Sequence, residues 1–202
     1  KLLDQIGGIE MEEDRKSQIE GEARFLRAYY YYWLTSIFGD IPVHLTTPTP
    51  EQMQVGTTPY LDVLQDVIIP DLELAASKLP LTFSGNDIGR PGKTAALSLA
   101  GKVYLMLEQW ANAEASLEEV VESNAHALMP IYRNNFEYST KDNTETVFGV
   151  QHLSGQNPWL GNRLNQWFAP QADNGYGFDV PTQAFVDAFE MTLAVNYYAT
   201  FA

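Results

Sequence analysis

The sequence contains no cysteine. That excludes disulfides, thiolate catalysis and cysteine-ligated metals within the chain, and it leaves the redox compartment open. Basic side chains are scarce: 12 Lys and Arg stand against 26 Asp and Glu, for a net charge of -14. Phosphate recognition needs clustered Lys and Arg, so nucleic acid is excluded as a partner, and so is attachment through a polybasic membrane patch. A surface this acidic is self-repelling and solvated. The three histidines, His44, His126 and His152, have no His or Cys at ligand spacing, so neither a metal nor a cofactor is expected. No apolar run approaches the ~20 residues that span a bilayer. The opening KLLDQIGGIEMEEDRK is no signal peptide, since its apolar core is short and its flank acidic. The chain starts without Met, in what reads as a helix, so a mature or trimmed form is expected. The nucleophile-elbow, P-loop and dinucleotide fingerprints are absent. Lys93-Thr94 follows a glycine-containing loop, but no strand precedes it.

Apolar and aromatic residues are plentiful. Hydrophobic residues make up 45% and aromatics 12% of 202 positions. A chain of this length can bury roughly 70% of its unfolded surface. The rest of the chain is expected to pack around residues 20–43, EGEARFLRAYYYYWLTSIFGDIPV. Here Ile19, Ala23, Leu26, Tyr30, Trp33 and Ile37 recur at helical spacing, and Phe25, Tyr29 and Tyr32 widen the stripe. A helix apolar on most sides belongs in a core, so these aromatics are expected to point inward. On that reading Trp33→Ala costs roughly 3–5 kcal/mol. The helix is predicted over 12–38, with Gly39 as its stop and Pro42 preventing continuation.

The remaining elements follow from punctuation. Residues 46–58 form a loop rich in Pro and Thr. Thr58 as N-cap and Pro59 at the first position open a second helix, with Tyr60, Leu61, Leu64, Val67, Ile68, Leu72, Ala75, Ala76 and Leu79 inward. Pro70 should kink or interrupt it. After a loop over 80–92, helices are predicted over 95–108 and 111–123. The first turns Ala96, Leu99, Ala100, Val103, Tyr104 and Leu107 inward, the second Ala113, Leu117, Val120 and Val121. So short a join makes an αα-hairpin, and its small residues and turn aromatic have tetratricopeptide character. Residues 146–152, TVFGVQH, read as one strand. Residues 154–179 read as a long irregular loop, and Val180-Pro181-Thr182 opens a last helix through Phe189. The tail TLAVNYYATFA is apolar and uncapped, so a chain incomplete at its C-terminus is expected. The expected fold is mainly α: tetratricopeptide-like hairpins with long irregular ligand-binding loops and little β. Residues 1–125 are the helical scaffold, and 126–202 begin an irregular, ligand-binding part.

Candidate sites are few. Arg24 and Arg27 on an apolar helix need carboxylates or carbonyls, and an internal ion pair is the favoured reading over anion recognition. Asp40 is expected to hold its turn by an Asx-type bond. Asp71 and Glu73 face apart and make a poor acid–base pair. No catalytic residue is assigned. The ligand candidates lie in the aromatic loop: Trp159, Asn162, Arg163, Trp167, Asp173, Asn174 and Tyr176. Sugar rings present flat C–H faces that stack on aromatics, while amides, carboxylates and guanidinium groups bind hydroxyls. Packing of these aromatics onto the helices is the competing reading.

Residues 22–28, EARFLRA, with 38–42, FGDIP, resemble the signature of the SusD/RagB family. The resemblance extends through 71–80, DLELAASKLP; 89–96, GRPGKTAA; 104–113; and Val180-Pro181-Thr182 with Val186-Asp187-Ala188-Phe189. It implies a tetratricopeptide-like scaffold in an outer-membrane, cell-surface lipoprotein. Such a protein captures oligosaccharides or peptides without catalysis and caps a SusC-like TonB-dependent transporter. Contact with the membrane would be only through a lipid anchor not present in this chain. Members are much longer, and their ligand residues vary, so no binding residue carries over. The alternatives are a tetratricopeptide-type interaction scaffold and a glycoside hydrolase.

Overall fold

Helix α1 (Leu2–Gln5) leads through a 3-10 turn (Ile6–Gly8) to α2 (Glu13–Phe38). Helix α3 (Tyr60–Asp62), a π turn (Val63–Ile68) and α4 (Ile69–Lys78) run on as one rod, and α5 (Lys93–Met106) and α6 (Trp110–Glu122) complete the scaffold. Helix α2 packs on α4, α4 on α5, and α5 on α6. The fold is mainly helical, built of tetratricopeptide-like hairpins, with no strand among the described residues. This computed structural model describes residues 1–152, 155 and 161–187, in two units, Lys1–Gly149 and Val150–Ala202.

Acidic residues Glu13 and Asp14 open α2, where the helix dipole favours them. Gly39, at φ 73°, ends it by donating its N–H to the Thr35 carbonyl at 2.9 Å. The face that α2 buries is not the expected one. Gly21, Phe25, Ala28, Tyr32 and Thr35 are buried, whereas Leu26, Tyr30, Trp33, Leu34, Ile37 and Phe38 are exposed. The row that was to widen the stripe is the core contact, and the main row lies opposite it. Periodicity alone could not choose between two apolar sides; long-range ion pairing does. Arg27 donates from Nε and Nη2 to both Asp71 oxygens at 2.6 and 2.8 Å, and Arg24 donates to Oδ1 at 2.9 Å. Asp71 is 2% exposed and sits on α4, so these bonds roll α2 until its Arg24–Arg27 flank meets that helix. Glu20 bridges Arg24 and Lys78 at 3.3 and 3.1 Å and closes the network.

The second rod departs from its expected start. Thr58 does not cap it; Thr58 and Ile41 exchange backbone bonds at 2.8 and 3.2 Å as an isolated antiparallel bridge. Asp40 supplies the cap instead, its Oδ1 accepting the Tyr60 N–H at 2.8 Å rather than closing an Asx turn of its own. At Pro70 the α-helical path is interrupted rather than ended. The turn before it widens, so that the Ile69 N–H reaches Leu64 five residues back, which accommodates a residue with no N–H and a bulky ring. The wider turn also shifts the buried face. Val63 and Ile69 join the core and Leu61 is left exposed.

The α5–α6 hairpin turns at Glu108, in left-handed conformation at φ 58°, with the Gln109 N–H on the Tyr104 carbonyl at 2.9 Å. This is a Schellman closure. The helices cross so closely that a Cβ on Gly101 would lie 2.6 Å from Leu117. Val121, expected inward, is exposed, since the main packing partner of α6 among the described elements is α5. Residues 146–152 form no strand. Phe148 sets its ring edge-on to Phe25 and Tyr29, at 4.9 and 5.5 Å.

In the second unit, the expected irregular loop holds helix α7 (Leu164–Phe168) and a 3-10 turn (Gln171–Asp173). Helix α8 (Gln183–Asp187) begins where the Val-Pro-Thr signal places it. Phe189, the tail and the side chains of Phe185 and Val186 lie outside the described residues.

Because Phe25 is 1% exposed and Trp33 47%, Phe25→Ala should cost about 3–5 kcal/mol in denaturant unfolding while Trp33→Ala costs less than about 1 kcal/mol. The reverse order would show that α2 is rolled the other way. Tyr104, 7% exposed, donates to Glu73 at 2.7 Å. Burial first, then that bond and the Glu73 charge, push its pKa from 10.0 up to about 12. A raised folded-state value means that the Tyr104 contribution is complete below pH 10 and is lost as pH climbs toward 12. Thermal melts over that range should show wild type losing stability relative to Tyr104→Phe by about 2 kcal/mol.

Candidate functional site

The candidate ligand residues cluster on α7 and the turn after it. Asn162 caps α7, its Oδ1 accepting the Leu164 N–H at 2.8 Å. Arg163 is exposed and its carbonyl accepts the Trp167 N–H at 3.0 Å. After Pro170 the chain doubles back through Asp173 and Asn174, the latter left-handed at φ 61°. The returning segment is stitched to α7 and the residue that follows it by three backbone bonds. The Tyr176, Gly177 and Phe178 N–H groups donate to Gln166, Ala169 and Trp167 at 2.7, 3.0 and 2.9 Å. Gly175 is needed at the closest approach, since a Cβ there would lie 2.1 Å from the Ala169 carbonyl oxygen.

This stitching places Trp167 and Tyr176 on adjoining segments, and both are substantially exposed, at 42% and 50%. Phe178, which the sequence reading did not single out, is 55% exposed and sets its ring 5.8 Å from that of Tyr176. No local periodicity marked it: Gly177 between the two rings is left-handed at φ 65°, so their proximity comes from the turn and not from strand alternation. Gln166 Nε2 donates to the Tyr176 hydroxyl at 3.3 Å. Asn162 and Asn174 do structural work, through a cap and a turn, while Asp173 is exposed in the turn. Trp159 lies outside the described residues.

In the first unit, the residues considered for chemistry are committed to structure. Arg24, Arg27 and Asp71 form the buried network described above. Burial opposes the Arg24 charge, but bonding to Asp71 and Glu20 outweighs it and raises the pKa. Glu145 accepts from the Met129 N–H and from Asn135 Nδ2, each at 2.9 Å, and these bonds hold its pKa below the ordinary 4.5. No group of three or more His, Cys, Asp and Glu side chains among the described residues is placed to hold a metal ion. No described helix is long and apolar enough to cross a membrane. A second set of exposed rings went unnoticed in the sequence: Tyr132, Phe136 and Tyr138, at 69%, 72% and 84% exposure. The sequence signal was three aromatics over 132–138 separated by Arg, Asn and Glu, with no apolar periodicity.

The sequence model of a SusD-like family, described as starch-binding and associating with the outer membrane, matches residues 1–105. The chain belongs to that family. It is similar to the SusD-like protein P25 of Formosa agariphila, with 23% identity over 150 residues, 74% of this chain and 28% of that one. Among solved structures it resembles a SusD-like protein of Bacteroides fragilis, at a TM-score of 0.81 and 29% identity, covering 94% of this chain and 38% of that one. It also resembles a laminarin-binding SusD-like protein, at a TM-score of 0.76 and 26% identity, covering 82% and 39%. The chain thus spans under a third of the curated relative's length. The SusD-like match ends at residue 105, within the hairpin, so it covers neither set of exposed aromatics.

Since a Cβ on Gly175 would collide with backbone, Gly175→Ala must push the returning segment away from α7. Hydrogen exchange at the Tyr176 and Phe178 amides should then quicken about tenfold or more. Unchanged exchange would show that the stitching does not depend on that approach.

Proposed function

We propose that this SusD-like chain belongs to a non-catalytic, cell-surface binding protein. It captures oligosaccharides, or peptides, and delivers them to a SusC-like TonB-dependent transporter in the outer membrane. The observation that carries the reading is the family match over residues 1–105. The exposed Trp167 and Tyr176 beside exposed Asp173 support it, because rings offer faces to sugar C–H groups while polar neighbours take hydroxyls. Asn162, Arg163, Asn174 and Trp159 complete the proposed contact set. Lipid anchorage at the cell surface is part of the same proposal.

Among the described residues the carboxyl groups whose pKa is displaced, Asp4, Glu20, Glu51 and Glu145, are all lowered, whereas a glycosidase acid works with a raised one. A second reading, a protein-interaction scaffold, is favoured by one observation, the exposed apolar stripe of α2 from Leu26 to Phe38.

Titration calorimetry against a panel of neutral oligosaccharides tests the proposal. Binding is expected, and Trp167→Ala should weaken it about tenfold. Tight binding of peptides and of no glycan would turn the reading to peptide capture. Turnover of a bound glycan would replace it with an enzyme.

A further inference from the structure

The segment after α6 pairs a rigid backbone with rings it does not bury. Two bonds tie its ends together: the Ala127 N–H donates to the Thr144 carbonyl at 3.0 Å, and Thr144 Oγ1 donates back to the Ala127 carbonyl at 3.1 Å. Inside that closure Glu145 holds the Met129 N–H and Asn135 Nδ2. Asn143 Nδ2 donates to Asn135 Oδ1 and to the Thr140 carbonyl, each at 3.1 Å. The closure is anchored to the scaffold through His126, whose Nε2 lies 3.0 Å from Oγ1 of the buried Thr94 on α5.

Held this way, the 3-10 turn Tyr132–Phe136 presents its two terminal rings to solvent. They meet edge to face, with centroids 5.3 Å apart and planes at 66°. Tyr132, Phe136 and Tyr138 are all more than two-thirds exposed. Between them the Arg133 Nε donates to Glu137 at 2.8 Å, and Asn134 is half-buried. Polar bonds order the turn, while the rings add little to folding by burial. Rigid rings with a fixed mutual angle, interleaved with hydroxyl-binding groups, suit a neutral ligand that has flat C–H faces and a hydroxylated rim. Net charge of -14 disfavours an anionic one.

We infer that Tyr132, Phe136 and Tyr138 form a second carbohydrate-contacting surface, in the first unit and separate in sequence from the Trp167–Phe178 aromatics, that stacks on pyranose rings of a neutral oligosaccharide. This rests on the carbohydrate reading proposed above. It gives the chain two aromatic contact regions, one in each unit.

The test is calorimetry of the 202-residue chain with laminarin oligosaccharides and with maltoheptaose, probes prompted by the laminarin-binding structural relative and the starch-binding family description. The double variant Tyr132→Ala, Phe136→Ala should lose about tenfold or more in affinity with an unchanged melting temperature. Tyr132→Phe, which keeps the ring, should bind like wild type. Wild-type binding left intact by the double variant overturns the second surface and leaves the carbohydrate reading standing. Failure of wild type to bind either probe overturns both. Peptide binding that the double variant abolishes would reassign the surface to protein contact.

Discussion

The carboxylate of Asp71 sets the geometry on which the rest depends. It is almost fully buried, and two guanidinium groups from α2 converge on it. A buried ion pair of this kind is weak evidence for net stability, because desolvation offsets most of the attraction. Its value here is directional. An apolar helix face can slide or roll at small cost, whereas a planar guanidinium on a carboxylate tolerates little displacement. The same Arg27 donates Nη1 to the Leu45 carbonyl at 2.9 Å, and the Tyr31 hydroxyl both donates to the His44 carbonyl and accepts its N–H. The network thus fixes the roll of α2 and the path of the chain that leaves it.

Once α2 is fixed, the other helices stack by close approach. Gly21 admits the Lys78 and Leu79 side chains, and Gly101 admits Leu117. The π turn before Pro70 turns a local defect into extra buried surface at Val63 and Ile69. The family landmarks acquire physical meaning in this frame. Arg24 and Arg27 of the 22–28 signature grip Asp71, and Asp40 of the 38–42 signature caps α3. Arg90 of the 89–96 signature pairs with Glu22 on α2 and with Asp87. Gly92 passes within 2.6 Å, measured from its missing Cβ, of the Leu81 carbonyl oxygen. These motifs identify the family because they hold the scaffold together, which is also why they say nothing about a ligand.

What could touch a ligand lies elsewhere. The exposed rings of both units sit on short turns ordered by backbone and amide hydrogen bonds, the arrangement expected where a scaffold carries variable surface chemistry. Trp167 and Tyr176 were legible as candidates because aromatics among Asn and Asp in a long non-periodic stretch have no obvious core to enter. Tyr132 and Phe136 were not singled out, because aromatics among polar residues over 130–138 read only as irregular structure. Only its closure by Thr144 and Glu145 shows that the rings are presented rather than tucked in.

The sequence by itself determined the order and approximate ends of the scaffold helices, since caps, glycine stops and periodicity act within a few residues. It determined the family, through motifs that lie close together in the chain. It also determined that Arg24 and Arg27 needed partners. It could not name Asp71, 47 residues from Arg24, nor Phe148 as the ring that covers Phe25. Which side of α2 faces inward was therefore left to the tertiary structure. Two apolar stripes of one helix are equivalent to any local rule, and only a charge pair closing over that distance makes them differ.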